Sequence, residues 1–335
     1  MNKGLAIFGP YPPPIGGVSI HISRIEKHLI KENINFQIFN HGHASGENVV
    51  VTEKSKLWYF KMLYLKGFKA IHFHQFFKFH YLYYWVFSKI NSTPIIITIH
   101  SERFLFYNSI FKKACIYFIK HTKECEVITV SKELYDFFLK NNIKCSYLPA
   151  YVPPKPSRKI ELKKDNTSIY FAFSIWKCTQ ELSEDIYDLP LALSFLKLNK
   201  SNFKMLLFIG TQEDSDINYL NTLINKYHLK NHVVILFEKQ VVEYVHNCKF
   251  LLKTNKKDGY GIALQEAMDL GVPAIATNVC KRPKGTILFN KTDLNGLQKA
   301  VEFVLNTPKQ EILKEKENLE YHKELILKYK ALLYE

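Results

Sequence analysis

The stretch from residue 253 to 277 concentrates the residue types best suited to holding an anionic ligand. A strand is expected to end near Lys253, Asp258-Gly259-Tyr260-Gly261 opens a loop, and a helix should run from about Ile262 until Gly271 stops it. The first N–H groups of such a helix have no partner within it and stand at the positive end of its dipole, so a phosphate can sit there. Gly259 and Gly261 would let the backbone come close to that phosphate. Glu266 lies about four residues into the helix, ~6 Å along its axis, which suits the step from a diphosphate to ribose hydroxyls. Asp258, ahead of the glycines, can face the other end of the same ligand. Taken singly, Glu266 reads equally as a solvent-facing helix residue and Asp258-Gly259 as a plain turn. Their spacing carries the information.

A second glycine loop, Gly9-Pro10-Tyr11-Pro12-Pro13-Pro14-Ile15-Gly16-Gly17-Val18, follows the first expected strand and precedes a helix with Ile22, Ile25 and Leu29 on one face. It lacks the G-x-G-x-x-G spacing of a dinucleotide site. His100 ends the apolar run 95–99, and ligands of open α/β sheets bind at the carboxyl ends of strands. His72 and His74 alternate with Phe73 on another strand, and His41 and His43 fall in a loop; without a companion carboxylate or cysteine pattern these four read as structural or acceptor-side residues. Asp214-Ser215-Asp216 spells a metal-binding D-x-D, but in the loop before a helix it reads as a cap, so no metal and no cofactor is expected.

The elements that must position these residues are βα units. Short runs rich in Ile, Val and Phe recur at 5–9, 36–39, 70–73, 95–99 and 127–130, and again at 169–173, 204–209, 233–236, 250–252, 274–277 and 286–289, with helical stretches between them. Two doubly wound, Rossmann-like α/β domains follow, and a chain of 335 residues is long enough for both cores. Four prolines between Pro149 and Pro156 mark the linker. The expected parts are therefore a domain at 1–152, a domain at 153–307, and a Lys/Glu-rich helix at 308–335 with Ile312, Leu319, Leu325 and Leu332 at helical spacing.

Charge is unevenly spread. The net +15 divides into +11 for residues 1–155 and +4 for 156–335. Between Leu57 and Ile90 the lysines alternate with Trp58, Tyr59, Phe60, Tyr64, Phe68, Phe76, Phe77, Phe79, Tyr81, Tyr83, Tyr84 and Trp85, a mixture that fits an anionic membrane surface or, equally, a packed core. No signal peptide and no apolar stretch of 18 residues is present, so a cytoplasmic protein is expected, peripheral on the inner face of the membrane if the aromatic-basic run is exposed. Six scattered cysteines without a C-x-x-C pair read as reduced thiols rather than a disulfide frame or a zinc site.

The 258–277 stretch resembles the donor site of retaining glycosyltransferases of GT-B fold, in particular glycosyltransferase family 4. There, two acids with seven residues between them flank a glycine loop, and a G-x-P-V-I-A-T-like strand follows. Here the acids are Asp258 and Glu266 and the strand is Gly271-Val272-Pro273-Ala274-Ile275-Ala276-Thr277, with Asp in place of the usual first acid shortening its reach by one methylene. The continuation Asn278-Val279-Cys280-Lys281-Arg282-Pro283-Lys284-Gly285-Thr286-Ile287-Leu288-Phe289 also resembles a subset of bacterial polysaccharide-type transferases, with its basic residues near the expected site. The resemblance implies two domains facing a central cleft, and Gly16 and Gly17 near the donor phosphates and acceptor. It implies His100 reaching the donor sugar, and Asp258, Gly259, Tyr260, Gly261 and Glu266 holding the donor. It also implies a basic pair that neutralises the diphosphate, for which Lys177 is the best match and Lys253 a substitute for a family arginine; Asp185-Ile186-Tyr187-Asp188 stands where the second lysine is expected. The implied partners are a UDP- or GDP-sugar donor and a glycan or lipid-linked saccharide acceptor, and no nucleic acid. The implied reaction is hexosyl transfer with retention, in surface polysaccharide assembly. A nucleotide-sugar epimerase of the same fold and a non-catalytic sugar-nucleotide binder are the alternatives.

Overall fold

The computed structural model describes residues 3–13, 15–40, 42, 44–51, 67–74, 80–90, 92–155, 158–163, 167–178 and 185–334. Its contacts separate the chain into two compact units, Met1–Val152 with Glu320–Glu335, and Pro153–Leu319.

The first unit is built on a parallel sheet, seven-stranded among the described residues. Its strands are β1 (Lys3–Phe8), β2 (Phe36–Asn40), β3 (Val49–Val51), β4 (Phe68–Phe73), β5 (Ile95–Ile99), β6 (Cys125–Thr129) and β7 (Cys145–Tyr147), in the order β3-β2-β1-β4-β5-β6-β7. β3 and β7 were not expected, because three-residue edge strands are too short to show a pattern. The sheet is buried on both faces by helices, as parallel sheets require. Leu5 and Ile7 pack with Ile22, Ile25 and Leu29 of α1 (Gly17–Lys31). Ala6, Phe8 and Phe73 face the other way, toward Tyr84 and Phe87 of α2 (His80–Ile90), Cys115 and Ile119 of α3 (Ser109–His121), and Leu134 and Phe138 of α4 (Lys132–Lys140).

Phe68 and Tyr84 belong to this core, Tyr84 stacking on Phe73 with centroids 4.1 Å apart. These two rings therefore take the packed-core reading of the aromatic-basic run. Trp58, Tyr59, Phe60, Tyr64, Phe76, Phe77 and Phe79, with His41 and His43, lie outside the described residues.

The second unit repeats the plan with β8 (Ile169–Ile175), α5 (Leu189–Leu198), β9 (Phe203–Ile209), α6 (Asp214–Tyr227), β10 (Val233–Phe237), α7 (Val241–Tyr244), β11 (Phe250–Lys253), α8 (Ile262–Asp269), β12 (Ala274–Thr277), β13 (Ile287–Phe289), α9 (Leu294–Asn306) and α10 (Lys309–Ile312). The strand order is β10-β9-β8-β11-β12-β13, all parallel. An aromatic stack, Phe171 on Phe250 with centroids 5.3 Å apart and Phe195 and Phe203 edge-on to it, fills the core.

The terminal helix departs from expectation. Instead of one helix over 308–335, α10 passes into a 3-10 turn (Leu313–Glu315), residues 316–320 are irregular, and α11 (Tyr321–Tyr334) joins the first unit. Leu325, Ile326, Tyr329 and Leu333 pack on the Leu5–Ile7 face, and Lys328 pairs with Glu126 at 2.7 Å. The i, i+4 apolar spacing that signalled a helix is satisfied by a sheet face early in the chain.

In both sheets the winding reverses beside the first strand, between β1 and β4 and between β8 and β11. The carboxyl ends of strands at such a switch point form the crevice in which doubly wound sheets bind ligands.

Candidate functional site

In the second unit the switch point is lined by the segments sequence reasoning selected. β8 runs into Trp176-Lys177, and β11 ends at Lys253, directly before the 254–261 loop. Gly261 caps α8 with φ +85°, and a Cβ there would lie 2.7 Å from Leu264 Cδ1 and 2.9 Å from Arg282 Nη1. Glycine is thus demanded at 261 both by backbone conformation and by space. At Gly259 a Cβ would meet nothing within 4 Å, so that position faces open space.

Asp258 is the electrostatic centre of the loop. Its Oδ2 pairs with Arg282 Nη1 at 2.5 Å and with Lys253 Nζ at 3.2 Å, and its Oδ1 accepts from Gly259 N at 3.0 Å. Burial pushes the carboxyl up, but the charges of Lys253 and Arg282 and their hydrogen bonds more than offset that and hold it at about 2. Arg282 is fixed from behind: Nε donates to Thr277 O at 2.9 Å and Nη2 to Thr277 Oγ1 at 3.3 Å, while Thr277 Oγ1 donates to Asn255 O at 2.6 Å. The end of β12, the 254–261 loop and the carboxylate are therefore one assembly. Arg282 was seen in the sequence only as one basic residue near the site; its adjacency to Pro283 gives no hint that it would turn inward.

Glu266 lies on α8 and is buried, 9% exposed. Its neighbour Gln265 is anchored to Asp269 Oδ1 at 3.1 Å and to Glu317 O at 2.9 Å, which fixes the helix rotation. Lys177 forms a 2.8 Å pair with Glu213. Where a second lysine is expected, Asp185 Oδ1 accepts from Tyr187 N and Asp188 N, and Asp188, left-handed at φ +48°, sits 3.6 Å from Lys256 Nζ. The acid at 188 thus draws in a lysine from the 254–261 loop.

The D-x-D reading changes in detail. The residue capping α6 is Glu213, without a side-chain bond, and Asp214 and Asp216 occupy the first turn. Asp216 is fully buried and accepts from Cys178 N at 3.0 Å and from Thr211 Oγ1 at 2.9 Å, tying the segment after Lys177 to the end of β9. Its role is to fix loops rather than to cap. Among the described residues no group of three His, Cys, Asp or Glu is placed to hold a metal, none of the six cysteines is in a disulfide, and no helix is long and apolar enough to cross a membrane.

In the first unit the corresponding crevice holds Gly16, Gly17 and His100. Gly16 caps α1: its N–H donates to Ser19 Oγ at 3.0 Å, and its carbonyl accepts from Ile20 N at 3.0 Å. A Cβ at Gly17 would meet nothing within 4 Å. His100 follows β5, half-buried, and touches His74 at 3.0 Å, Nε2 to Nδ1. His74 and its neighbours His72 and His21 are buried, so these histidines form one cluster that spacing alone did not disclose.

Residues 188–316 match the family Glycosyl transferases group 1. No curated protein matches the chain. Solved structures do: HepE of Anabaena, in complex with UDP and glucose, has a TM-score of 0.75 at 12% identity, covering 98% of this chain and 100% of that one. Sucrose-phosphate synthase from Thermosynechococcus elongatus has 0.73 at 14%, covering 98% and 99%. WaaG, a glycosyltransferase involved in lipopolysaccharide biosynthesis, has 0.67 at 12%, covering 99% and 100%. At these identities the likeness establishes the fold, which is GT-B.

Proposed function

From a group 1 glycosyl transferase segment set in a GT-B fold, we propose that this chain is a glycosyltransferase that takes a sugar from a nucleotide-sugar and passes it to a saccharide acceptor. One observation carries the reading: the Lys253–Asp258–Arg282 assembly, the α8 N-terminus beyond Gly261 and the buried Glu266 all lie at the β8/β11 switch point, inside the matched segment. A nucleoside diphosphate fits this arrangement. Glu266 accepts ribose hydroxyls, the first turn of α8 faces a phosphate, and Gly259 leaves room for it. Lys177 and Lys253 supply the cations that neutralise the diphosphate as it departs with the bonding pair. The neighbour HepE was solved with UDP-glucose, which favours a uridine donor over a guanosine one. Asp258 is assigned to the sugar, and His100, in the crevice of its own unit, to substrate.

The finer proposals are family 4 membership, retention of anomeric configuration, no metal requirement, and a lipid-linked or glycan acceptor of surface polysaccharide. For a membrane-borne acceptor the described residues offer one support. Phe106 and Ile110, 78% and 81% exposed, stand beside Lys113, Lys120 and Lys123 on or next to α3, and residues 103–123 contain no acid. Such a face meets anionic headgroups. Vesicles of phosphatidylglycerol should float the protein at low salt and release it as salt is raised, and the triple change of Lys113, Lys120 and Lys123 to Ala should weaken flotation. A protein that stays at the bottom of the gradient has no such membrane partner.

The deciding experiment is a hydrolysis and transfer assay with UDP-, GDP- and ADP-sugars, run with and without EDTA. Release of nucleotide from one donor, undiminished by EDTA, supports the reading; interconversion of the sugar without release indicates an epimerase, and binding without turnover a non-catalytic relative. Loss in EDTA with rescue by Mn2+ overturns metal independence. Glu266→Ala should abolish most calorimetric binding of the active nucleotide in protein whose far-UV circular dichroism still shows the folded state.

A further inference from the structure

We propose that His74 is a positioning residue that sets the tautomer of His100, so that His100 presents Nδ1 as a hydrogen-bond acceptor; this rests on the reading in which His100 touches substrate. β4 and β5 are neighbours in the sheet, and the two histidines follow their carboxyl ends. His74 is 4% exposed, its N donates to Phe8 O at 2.7 Å, and its Nδ1 lies 3.0 Å from His100 Nε2 with the rings inclined by 30°.

Among the described residues His74 packs against two further imidazoles. The His72 ring lies against it, centroids 3.8 Å apart, and His21 of α1 approaches to 5.3 Å. His72 is fixed at both nitrogens, Nδ1 to Tyr329 Oη of α11 at 2.5 Å and Nε2 to Thr98 Oγ1 at 2.7 Å. A Cβ at Gly9 would stand 3.0 Å from the His74 Cβ and 2.4 Å from Ile22 Cδ1, so a side chain at residue 9 would press on this ring.

Two neutral imidazoles joined through Nδ1 and Nε2 share a single N–H between them. If the proton were on His74 Nδ1, both rings would carry the Nδ1–H form, which imidazole side chains disfavour. With His100 Nε2–H donating to His74 Nδ1, both carry the favoured Nε2–H form. His100 Nδ1 then holds a lone pair able to accept a substrate hydroxyl. Burial, with the neighbouring histidines, keeps His74 well below its ordinary value, so the ring stays neutral and continues to accept.

The first test needs no substrate. In protein carrying 15N-labelled histidine rings at pH 7, with His100 signals assigned by their loss in His100→Gln, Nε2 should be the protonated nitrogen, and His74→Phe should shift or mix that tautomer. A His100 protonated at Nδ1, or one unmoved by His74→Phe, overturns the proposal whatever the enzyme's activity. The second test uses the donor found active above. His74→Phe should lower kcat about tenfold with donor KM within about twofold, and His74→Asn, whose amide oxygen replaces the Nδ1 acceptor, should recover most of it. In a His100→Ala background His74→Phe should have no further effect. An inert His100→Ala removes His100 from the site, whereas a damaging His100→Ala beside a harmless His74→Phe removes only the role of His74.

Discussion

At the scale of single residues, the Asp258 carboxylate shows how a charge can be buried beside a ligand site without being lost to protonation. Two cations share one oxygen and a backbone N–H takes the other. Removing one partner of a buried pair leaves the other charge uncompensated, at about 3–5 kcal/mol when nothing replaces it. Lys253 remains in Arg282→Ala, so a loss of about 2 kcal/mol is expected, a fall of roughly 4–8 °C in Tm for a unit of this size. Arg282→Lys should recover little, because one ammonium cannot reach both Asp258 and the two Thr277 oxygens that the guanidinium spans. A thermal melt of Arg282→Ala that overlays the parent would show that the Arg282–Asp258 pair contributes nothing to the fold.

At the scale of elements, the two glycines of the loop separate what conformation demands from what a ligand demands. Gly261→Ala places a side chain at φ +85° and against Leu264 and Arg282, so a stability loss of about 1–3 kcal/mol is expected. Gly259→Ala meets open space, so the melt should hardly change while nucleotide binding weakens, the added methyl entering the room left for phosphate. Calorimetry and denaturation on the pair test this; equal nucleotide affinity for Gly259→Ala and the parent would place the phosphate elsewhere. The strand-loop-helix pattern and the spacing of Asp258 and Glu266 were legible because they are local: periodicity and glycine type act over a few residues. Arg282, His74 and the Lys256–Asp188 pair were not, because each owes its role to a neighbour far along the chain, brought close by parallel strand pairing. The edge strands β3 and β7 escaped for a different reason, being too short to alternate. The terminal helix was legible as a helix and illegible as a partner, since its apolar stripe states that a face exists and not where.

At the scale of the whole molecule, α11 makes the first unit depend on both ends of the chain, and the histidines beneath it give that unit a dependence on acid. His21, His72 and His74 are buried in the folded state. Burial lowers all three, His21 to about 4, with Arg24 acting in the same direction on His21 and the other imidazoles on His72 and His74. Tyr329 and Thr98 face His72 as neutral hydroxyls, burial pushes the Tyr329 hydroxyl up, and on His21 a hydrogen bond with the Ala150 backbone acts upward without offsetting burial. The unfolded chain binds protons at these rings near pH 6.5 and the folded chain does not until lower pH. Below 6.5 the unfolded state therefore holds more protons, and the contribution of the neutral rings, complete above about pH 7.5, is lost as pH falls toward 4. Each ring costs about 1.4 kcal/mol per pH unit across its window, so three together remove several kcal/mol between pH 6.5 and 5. Asp258, at about 2, and Glu126, lowered by Lys328 and Ser146 despite its burial, do not produce this loss, because both titrate below the same interval. Urea titrations at pH 7.5, 6 and 5 should show the midpoint falling steadily, and His21→Gln should flatten the slope by one proton per molecule. A midpoint constant from pH 7.5 to 5 would mean that the rings are solvated and protonated in the folded protein, which would also deprive His74 of the neutral Nδ1 that His100 needs.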